Sequence, residues 1–409
     1  MKKLSILLLA GIILHSSNAS ACTIAVISGR HTPDGRPILW KHRDTGTLNN
    51  KLVYFNEGKY PAIGLINSND DSSKEVWIGF NSAGFAIMNS ASYNLKAADD
   101  TTSLADMEGV VMKAALMSCA TVDEFEQFLK DYPKPIGIEA NFGVIDASGG
   151  AAYFETNNFT WTKIDVNDKK VAPHGYIVRT NYSFTGEANA GMGYIRFETA
   201  EKLFYRASAT NNLSIPYMLE NMCLSLDNSY SGQRVQDFLH LNENQENFIY
   251  YQDCINRYSS AASVIVQGVK QGEPVEFTTM WAMVGFPLAS VPVPVWLTPS
   301  GSLPEIVSAD GSKNSDICDM ALELKKVMVP SRRGSTRYYI NTTKVFNAQG
   351  SGITQKLIPV HREVYRKTIE TMELWRSAGR LDQGEADRFY GWSDEYVRKA
   401  YRDLFGLKP

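Results

Sequence analysis

The sequence is poor in the residues that hold metals and staple folds: five cysteines and six histidines in 409 residues, with no Cys-x-x-Cys and no His-x-x-x-His pair. That scarcity of ligand spacing argues against a metal centre, and no cofactor fingerprint is present either, so neither is expected. Charge of one sign is also lacking. With 41 Lys and Arg against 44 Asp and Glu the net charge is only −3, which gives no basic surface for a nucleic acid. Long apolar runs are absent apart from Leu4 to Leu14, which is too short for the roughly 20 residues of a membrane-spanning helix. There is no internal repeat and no low-complexity tract. The 44% apolar and 21% charged composition is that of an ordinary globular chain with a large core. No membrane span is expected beyond the leader, and assembly into a homo-oligomer is left open.

What is present begins at the first residue. Lys2 and Lys3, the apolar run and the polar stretch to Ser20 lead to Ala19-Ser20-Ala21, the small-residue pattern of a secretory cleavage site. Residues 1–21 are therefore expected to be an export signal, and the rest a soluble periplasmic or secreted protein. Cleavage after Ala21 makes Cys22 a residue with both a thiol and a free α-amine. An α-amine with a pKa of about 8 works as a base near neutrality, so one residue supplies nucleophile and base. The same four residues are also compatible with an outer-membrane lipoprotein lipidated at Cys22, although Ala19 stands where such sites usually carry Leu. The other cysteines, 119, 223, 254 and 318, are an even set in an exported chain, and two disulfides in any of three pairings are open.

Hydrophobic periodicity predicts strands at Thr23–Ser28, Pro37–Trp40, Leu52–Phe55, Ala62–Ile66, Val76–Phe80 and Phe85–Met88. Pro33-Asp34-Gly35 is a turn by its chemistry, since Pro fixes φ and Gly accepts positive φ, and it should join two antiparallel strands. Helical spacing follows in Leu104–Met117 and Val122–Leu129, the latter capped by Thr121. Strands return at Asn141–Ile145, Ala151–Glu155, Phe159–Ile164 and Tyr176–Arg179, with Ser148-Gly149-Gly150 as a hairpin turn. A helix is expected over Tyr194–Ala207, polar surface structure over 211–258, and strands at Ala261–Gln267 and Val275–Val284, after which Pro287, Pro292 and Pro294 break the chain. The final third reads as a loop and helices at about 316–328, 355–378 and 382–405. Strands and helices without regular alternation indicate an α+β protein of antiparallel sheets layered with helices.

Cys22-Thr23-Ile24-Ala25-Val26, the Asp34-Gly35 turn and Trp40-Lys41-His42-Arg43-Asp44 together resemble the start of the N-terminal-nucleophile (Ntn) hydrolases, in the group of choloylglycine hydrolase, penicillin V acylase and the acyl-CoA:6-aminopenicillanate acyltransferase. The resemblance covers about residues 22–200. It implies an αββα sandwich of two antiparallel sheets between helical layers, with a catalytic domain over 22–300 and a mainly helical part, 301–409, packed on it. It also implies hydrolysis of a linear, non-peptide C–N bond in a small N-acyl amide, and acyl transfer to an amine in place of water is a variant of the same chemistry.

By the same resemblance Asp44 orients the nucleophilic residue, Lys41 stands where the family usually has Arg, and Arg43 is a second source of positive charge. His42 stands where Asn is common. Phe80-Asn81-Ser82-Ala83-Gly84-Phe85-Ala86-Ile87-Met88-Asn89 is similar to a family segment ending in an oxyanion-binding Asn, making Asn89 the candidate with Asn94 as fallback. Val178-Arg179-Thr180-Asn181 resembles a Thr-Asn pair near the reacting carbonyl, and Arg196 resembles a family Arg close to the nucleophile. Asp146 and Glu155, around the central hairpin, are expected to be structural. A Cys dipeptidase of the same superfamily, whose start is also Cys-Thr before an Asp-Gly hairpin, remains an alternative.

Overall fold

The computed structural model describes residues 21–331 and 333–407; the expected export signal, apart from Ala21, lies outside the described residues. Fifteen strands are present among the described residues: β1 (Ala21–Ile27), β2 (Ile38–Asp44), β3 (Asn50–Phe55), β4 (Ala62–Asn67), β5 (Ile78–Asn81), β6 (Ala86–Ala91), β7 (Ala140–Ile145), β8 (Ala151–Thr156), β9 (Trp161–Asp165), β10 (Tyr176–Arg179), β11 (Phe248–Tyr250), β12 (Ser260–Gln267), β13 (Thr279–Val284), β14 (Val293–Val295) and β15 (Tyr339–Asn341). The helices are α1 (Glu108–Ser118), α2 (Val122–Asp131), α3 (Tyr194–Ala209), α4 (Ile215–Tyr217), α5 (Asp316–Met328), α6 (Thr342–Val345), α7 (Ile353–Ala378) and α8 (Gln383–Phe405).

One sheet has the order β10-β1-β2-β12-β13-β14 and the other runs β3 to β9 as a meander, each strand antiparallel to its neighbours. They lie face to face, β1 and β2 against β6 and β7. The period of two along each strand decides which side chain meets which layer. Ala86 and Met88 enter the core between the sheets, whereas Ile87 enters the core under α1 and α2. There Phe125 of α2 meets Phe154 edge-on at 5.1 Å, a favoured aromatic geometry. Helices α3 and α5 cover the other sheet, α3 against β1 and β10 and α5 against β13. The chain is therefore an α+β sandwich with the layer order helix, sheet, sheet, helix.

Local chemistry explains most boundaries. The Thr121 side chain accepts from the Glu124 amide at the start of α2, the capping predicted from sequence. Gly149, at φ +88, closes the β7–β8 hairpin, while Asp146 accepts from the Val122, Ser148 and Gly150 amides. The C-terminal helices close over the same core as β1: Val397 and Tyr401 belong to its cluster, and the Tyr401 hydroxyl donates to the Ala289 carbonyl at 2.6 Å.

Three expectations need correction. Val293–Val295 is a strand despite Pro292 and Pro294; β14 is an edge strand, where a missing N–H costs no ladder bond. Val275–Phe277 is a 3₁₀ turn, so β13 starts only at Thr279. All five cysteines are free and buried, so no disulfide forms among the described residues. The small β11–β15 ladder had no readable signal because each strand is only three residues long.

His361 of α7 is buried beside the Ser290 carbonyl, which lies 2.9 Å from Nε2, and burial holds its pKa down at about 4. An unfolded His titrates near 6.5, so the stability tied to the neutral ring is complete above about pH 6.5 and is lost as the pH falls towards 4. His361→Gln keeps a donor for Ser290 and should make the thermal midpoint less sensitive to pH between about 6.5 and 4. An unchanged slope in scanning calorimetry would remove His361 from the acid response.

Candidate active site

The turn at Gly35, φ +77, folds β2 back along β1 so that Ala21 pairs with Asp44, Cys22 with Arg43, Thr23 with His42 and Ile24 with Lys41. Alternation then sorts the residues by face. Cys22, Arg43 and Lys41 share the face that looks towards the second sheet, and Ala21, Thr23, His42 and Asp44 share the face under α3. On the other side of β1, Ile24 pairs with Arg179, the last residue of β10, and Asn181, two residues on, is bridged to Met192.

Three cations surround this point, each almost wholly buried. The Lys41 amine donates to Asn89 Oδ1 at 2.6 Å. The Arg43 guanidinium donates to Asn50 Oδ1 and, at 2.8 Å, to Asn67 Oδ1, and lies 4.7 Å from the Trp77 ring centre. Arg196 donates to the Cys22 carbonyl at 2.7 Å, to Thr23 Oγ1 at 2.9 Å and to Asn181 Oδ1 at 2.5 Å. No carboxylate forms an ion pair with any of the three among the described residues. Burial pulls Lys41 down to about 8, opposed by its nearness to Cys22 and Glu108. It pulls Arg43 and Arg196 down as well, to about 10 and about 9, so all three remain mainly protonated at neutrality.

Asp44 is fully buried and is held by Arg257 Nε at 2.9 Å and by the Ser260 hydroxyl at 2.7 Å. Ser260 Oγ in turn accepts from the Arg257 amide at 2.9 Å and lies 3.0 Å from His42 Nε2. Burial lowers His42 to about 4, so the ring is neutral, and with the Ser260 proton given to Asp44 the tautomer that fits carries its hydrogen on Nε2. Neither Arg257 nor Ser260 was read from the sequence. The available signal was an Arg three residues ahead of a buried apolar strand, which is too common to single out.

The structure thus gathers Cys22, Lys41, Arg43, Asp44, Asn89, Asn181 and Arg196 around the start of β1. Asn181 is fixed at both ends of its amide, with Oδ1 on Arg196 and Nδ2 donating to the Ala91 carbonyl at 2.9 Å. Asn94 instead clamps a loop, with its amide donating to the Ser183 and Glu187 carbonyls. Glu155 pairs with Arg179 and accepts from the Phe184 and Thr185 amides, a structural role like that of Asp146.

A cavity of about 740 Å³ opens beside this cluster, lined by Ala21, Arg196, Arg257, Met192, Tyr258, Arg337 and their neighbours. Gly193 is one of them, at φ +84, and a Cβ there would come within 2.5 Å of Arg196 Nη2, so only glycine leaves the guanidinium its place. Cys22 itself is 4% exposed; its predecessor Ala21 forms the cavity wall.

No protein-family model and no curated protein sequence matches the chain. Among solved structures it is similar to penicillin V acylase from Agrobacterium tumefaciens, with 14% identity over 68% of this chain and 87% of that one at a TM-score of 0.38. It is also similar to conjugated bile acid hydrolase from Clostridium perfringens, with 12% identity over 68% and 92% at 0.37. A third is the Caenorhabditis elegans N-acylethanolamine-hydrolyzing acid amidase ortholog, with 15% identity over 48% and 87% at 0.35.

Removing one partner of a buried ion pair costs about 3–5 kcal/mol because the other charge is stranded. Asp44→Asn and Arg257→Met should each lower urea stability on that scale, and the double variant should lose less than the two combined, with a coupling of about 1–3 kcal/mol. Strictly additive losses would show that Arg257 does not hold Asp44.

Proposed function

We propose that the protein is an exported amidohydrolase, acting in the periplasm or outside the cell, that cleaves a linear amide of an N-acyl substrate through Cys22 as an N-terminal nucleophile. The observation that carries this reading is the set of three buried cations around Cys22 whose partners are neutral oxygens. Such groups favour negative charge at the point they surround, and a thiolate attacking a carbonyl creates it there. Hydrolysis of the Ala21–Cys22 bond by signal peptidase, before folding, frees the Cys22 amine in the wall of the cavity and leaves the space of Ala21 to substrate.

In this reading the amine takes the Cys22 thiol proton and Sγ adds to the amide carbon. The oxyanion is received by side-chain N–H groups of Asn181 and Asn89. Arg196 sets the Asn181 amide, and Lys41, bonded to Asn89 Oδ1, turns the Asn89 N–H groups away from itself. The C–N bond breaks as the Cys22 ammonium returns the proton to the leaving amine, giving a thioester. Water then adds to the thioester, the acid departs and the thiol is restored. Asp44 orients the first turn of chain by anchoring the strand end opposite Ala21. Burial argues against lipidation, because a diacylglyceryl thioether at Cys22 would have to fit inside the sandwich next to Arg43.

Mass spectrometry of the exported protein should find an unmodified Cys22 at its N-terminus. Across a panel of N-acyl amides, Cys22→Ala should be inactive. Asn181→Ala should lose about 100-fold or more in kcat, the effect of one oxyanion donor, with its circular dichroism unchanged. Full turnover by Cys22→Ala, or a mature chain that starts elsewhere, would end the proposal.

A further inference from the structure

One position of α5 breaks the pattern of its own helix. The face that enters the core carries Ile317, Cys318, Ala321, Leu324 and Met328, and Lys325 stands on it, 6% exposed, where an apolar residue is expected. The end of a helix favours a cation, but Lys326 next door is exposed and supplies one in water. Among the described residues Lys325 forms no ion pair. Its amine lies 4.6 Å from the Tyr258 ring centre and 4.8 Å from that of Phe286, and it donates to the Tyr258 carbonyl. Burial pulls it down to about 7, and Asp44 is the charge that opposes this.

A charge kept from water without a paired carboxylate is costly to the fold, and a residue that breaks the local pattern at such a cost marks a place where function overrides stability. Tyr258 sits in the turn from Arg257 to Ser260, which is closed by the Ser260 amide on the Arg257 carbonyl at 3.0 Å and by the Arg257 amide on Ser260 Oγ at 2.9 Å. The two ends of that turn are the groups that hold Asp44. Tying the carbonyl between them to α5 fixes both at once. We infer that Lys325 is a positioning residue for the site: through the Tyr258 carbonyl it holds the turn that clamps Asp44, and with its charge it helps Arg257 keep that carboxylate ionised. Lys325 is not in the cavity lining, and it lies beyond residues 22–200, over which the family resemblance extends. The inference rests on the amidohydrolase reading for the reaction that Lys325 serves, whereas the hold on Asp44 is independent of turnover.

The test alkylates the exported protein with iodoacetamide and reads the rate at Cys22 by peptide mass spectrometry. Burial pushes the other four thiols up, so they react slowly. Lys325→Met keeps the chain length but removes the donor and the charge. It should lower the Cys22 rate about 10-fold, the scale on which small displacements of a reacting group act, with the thermal midpoint nearly unchanged because a buried charge is removed along with a bond. Lys325→Gln gives the Tyr258 carbonyl a donor again and should recover part of the rate. Met328→Ala, on the same buried face, should do the opposite, lowering the midpoint and leaving the alkylation rate as it is. On any N-acyl amide that the wild type hydrolyses, Lys325→Met should lower kcat by a similar factor and leave KM unchanged. Wild-type alkylation in both Lys325 variants, no recovery in Lys325→Gln, an equal loss in Met328→Ala, or failure of both Lys325 variants to fold overturns the inference. The expected alkylation pattern without hydrolysis of any amide by the wild type upholds the role of Lys325 and sinks the amidohydrolase reading alone.

Discussion

The burial of Asp44 is the constraint from which the rest of the site follows. A carboxylate without access to water is tolerated only when charge and hydrogen bonds replace its hydration, and here Arg257 and Ser260 do so. Both lie more than 200 residues away in sequence. Ser260 begins β12, the strand that flanks β2, so its bond to Asp44 fixes β12 against the hairpin. Arg257 belongs to the preceding turn, whose other residues, Gln252, Asp253, Tyr258 and Ser259, line the cavity. The interaction that makes Asp44 tolerable also builds the wall beside Ala21 and Cys22.

That wall joins parts of the chain that have no local reason to meet. Tyr258 touches Arg337 through its ring, and its carbonyl accepts from the Lys325 amine. Lys325 is itself buried, which pulls it down to about 7, with Asp44 pulling the other way. The C-terminal helical part is thus continuous with the site electrostatically as well as through the shared apolar core.

How much of this was legible depends on the range of the interaction. The hairpin was readable because Pro33-Asp34-Gly35 dictates a turn locally, and the register that sets Asp44 opposite Ala21 follows from it. The helix at Thr121 and the Gly149 turn were readable for the same reason, since a cap and a positive φ leave their mark within four residues. The candidates Asn89, Asn181 and Arg196 came from resemblance rather than from any local rule, and the structure places them around the start of β1. Arg257, Ser260 and Arg337 escaped. Each is defined by what it meets across a fold, and nothing in its own neighbourhood separates it from an ordinary surface Arg or Ser. The β14 edge strand escaped because proline was read as a breaker without knowing that the strand had only one neighbour.

The partners of the three buried cations show what kind of charge the site is built around. Lys41, Arg43 and Arg196 could each have been given a carboxylate, as Arg179 is given Glu155 and Arg36 is given Glu273 elsewhere in the molecule. They are given asparagines and carbonyl oxygen instead, namely Asn89, Asn50, Asn67, Asn181 and the Cys22 carbonyl. Neutral acceptors satisfy the N–H groups and hold their directions, and carboxylates act on these charges only from beyond ion-pair distance. Carboxylates in those places would compensate the buried charges and cancel the field at Cys22. Keeping several cations out of water without a paired carboxylate carries a cost in stability, and perturbed groups of this kind gather where chemistry needs them. The charge for which these cations have no paired partner is negative, and in the proposed reaction a thiolate and then an oxyanion at Cys22 supply it.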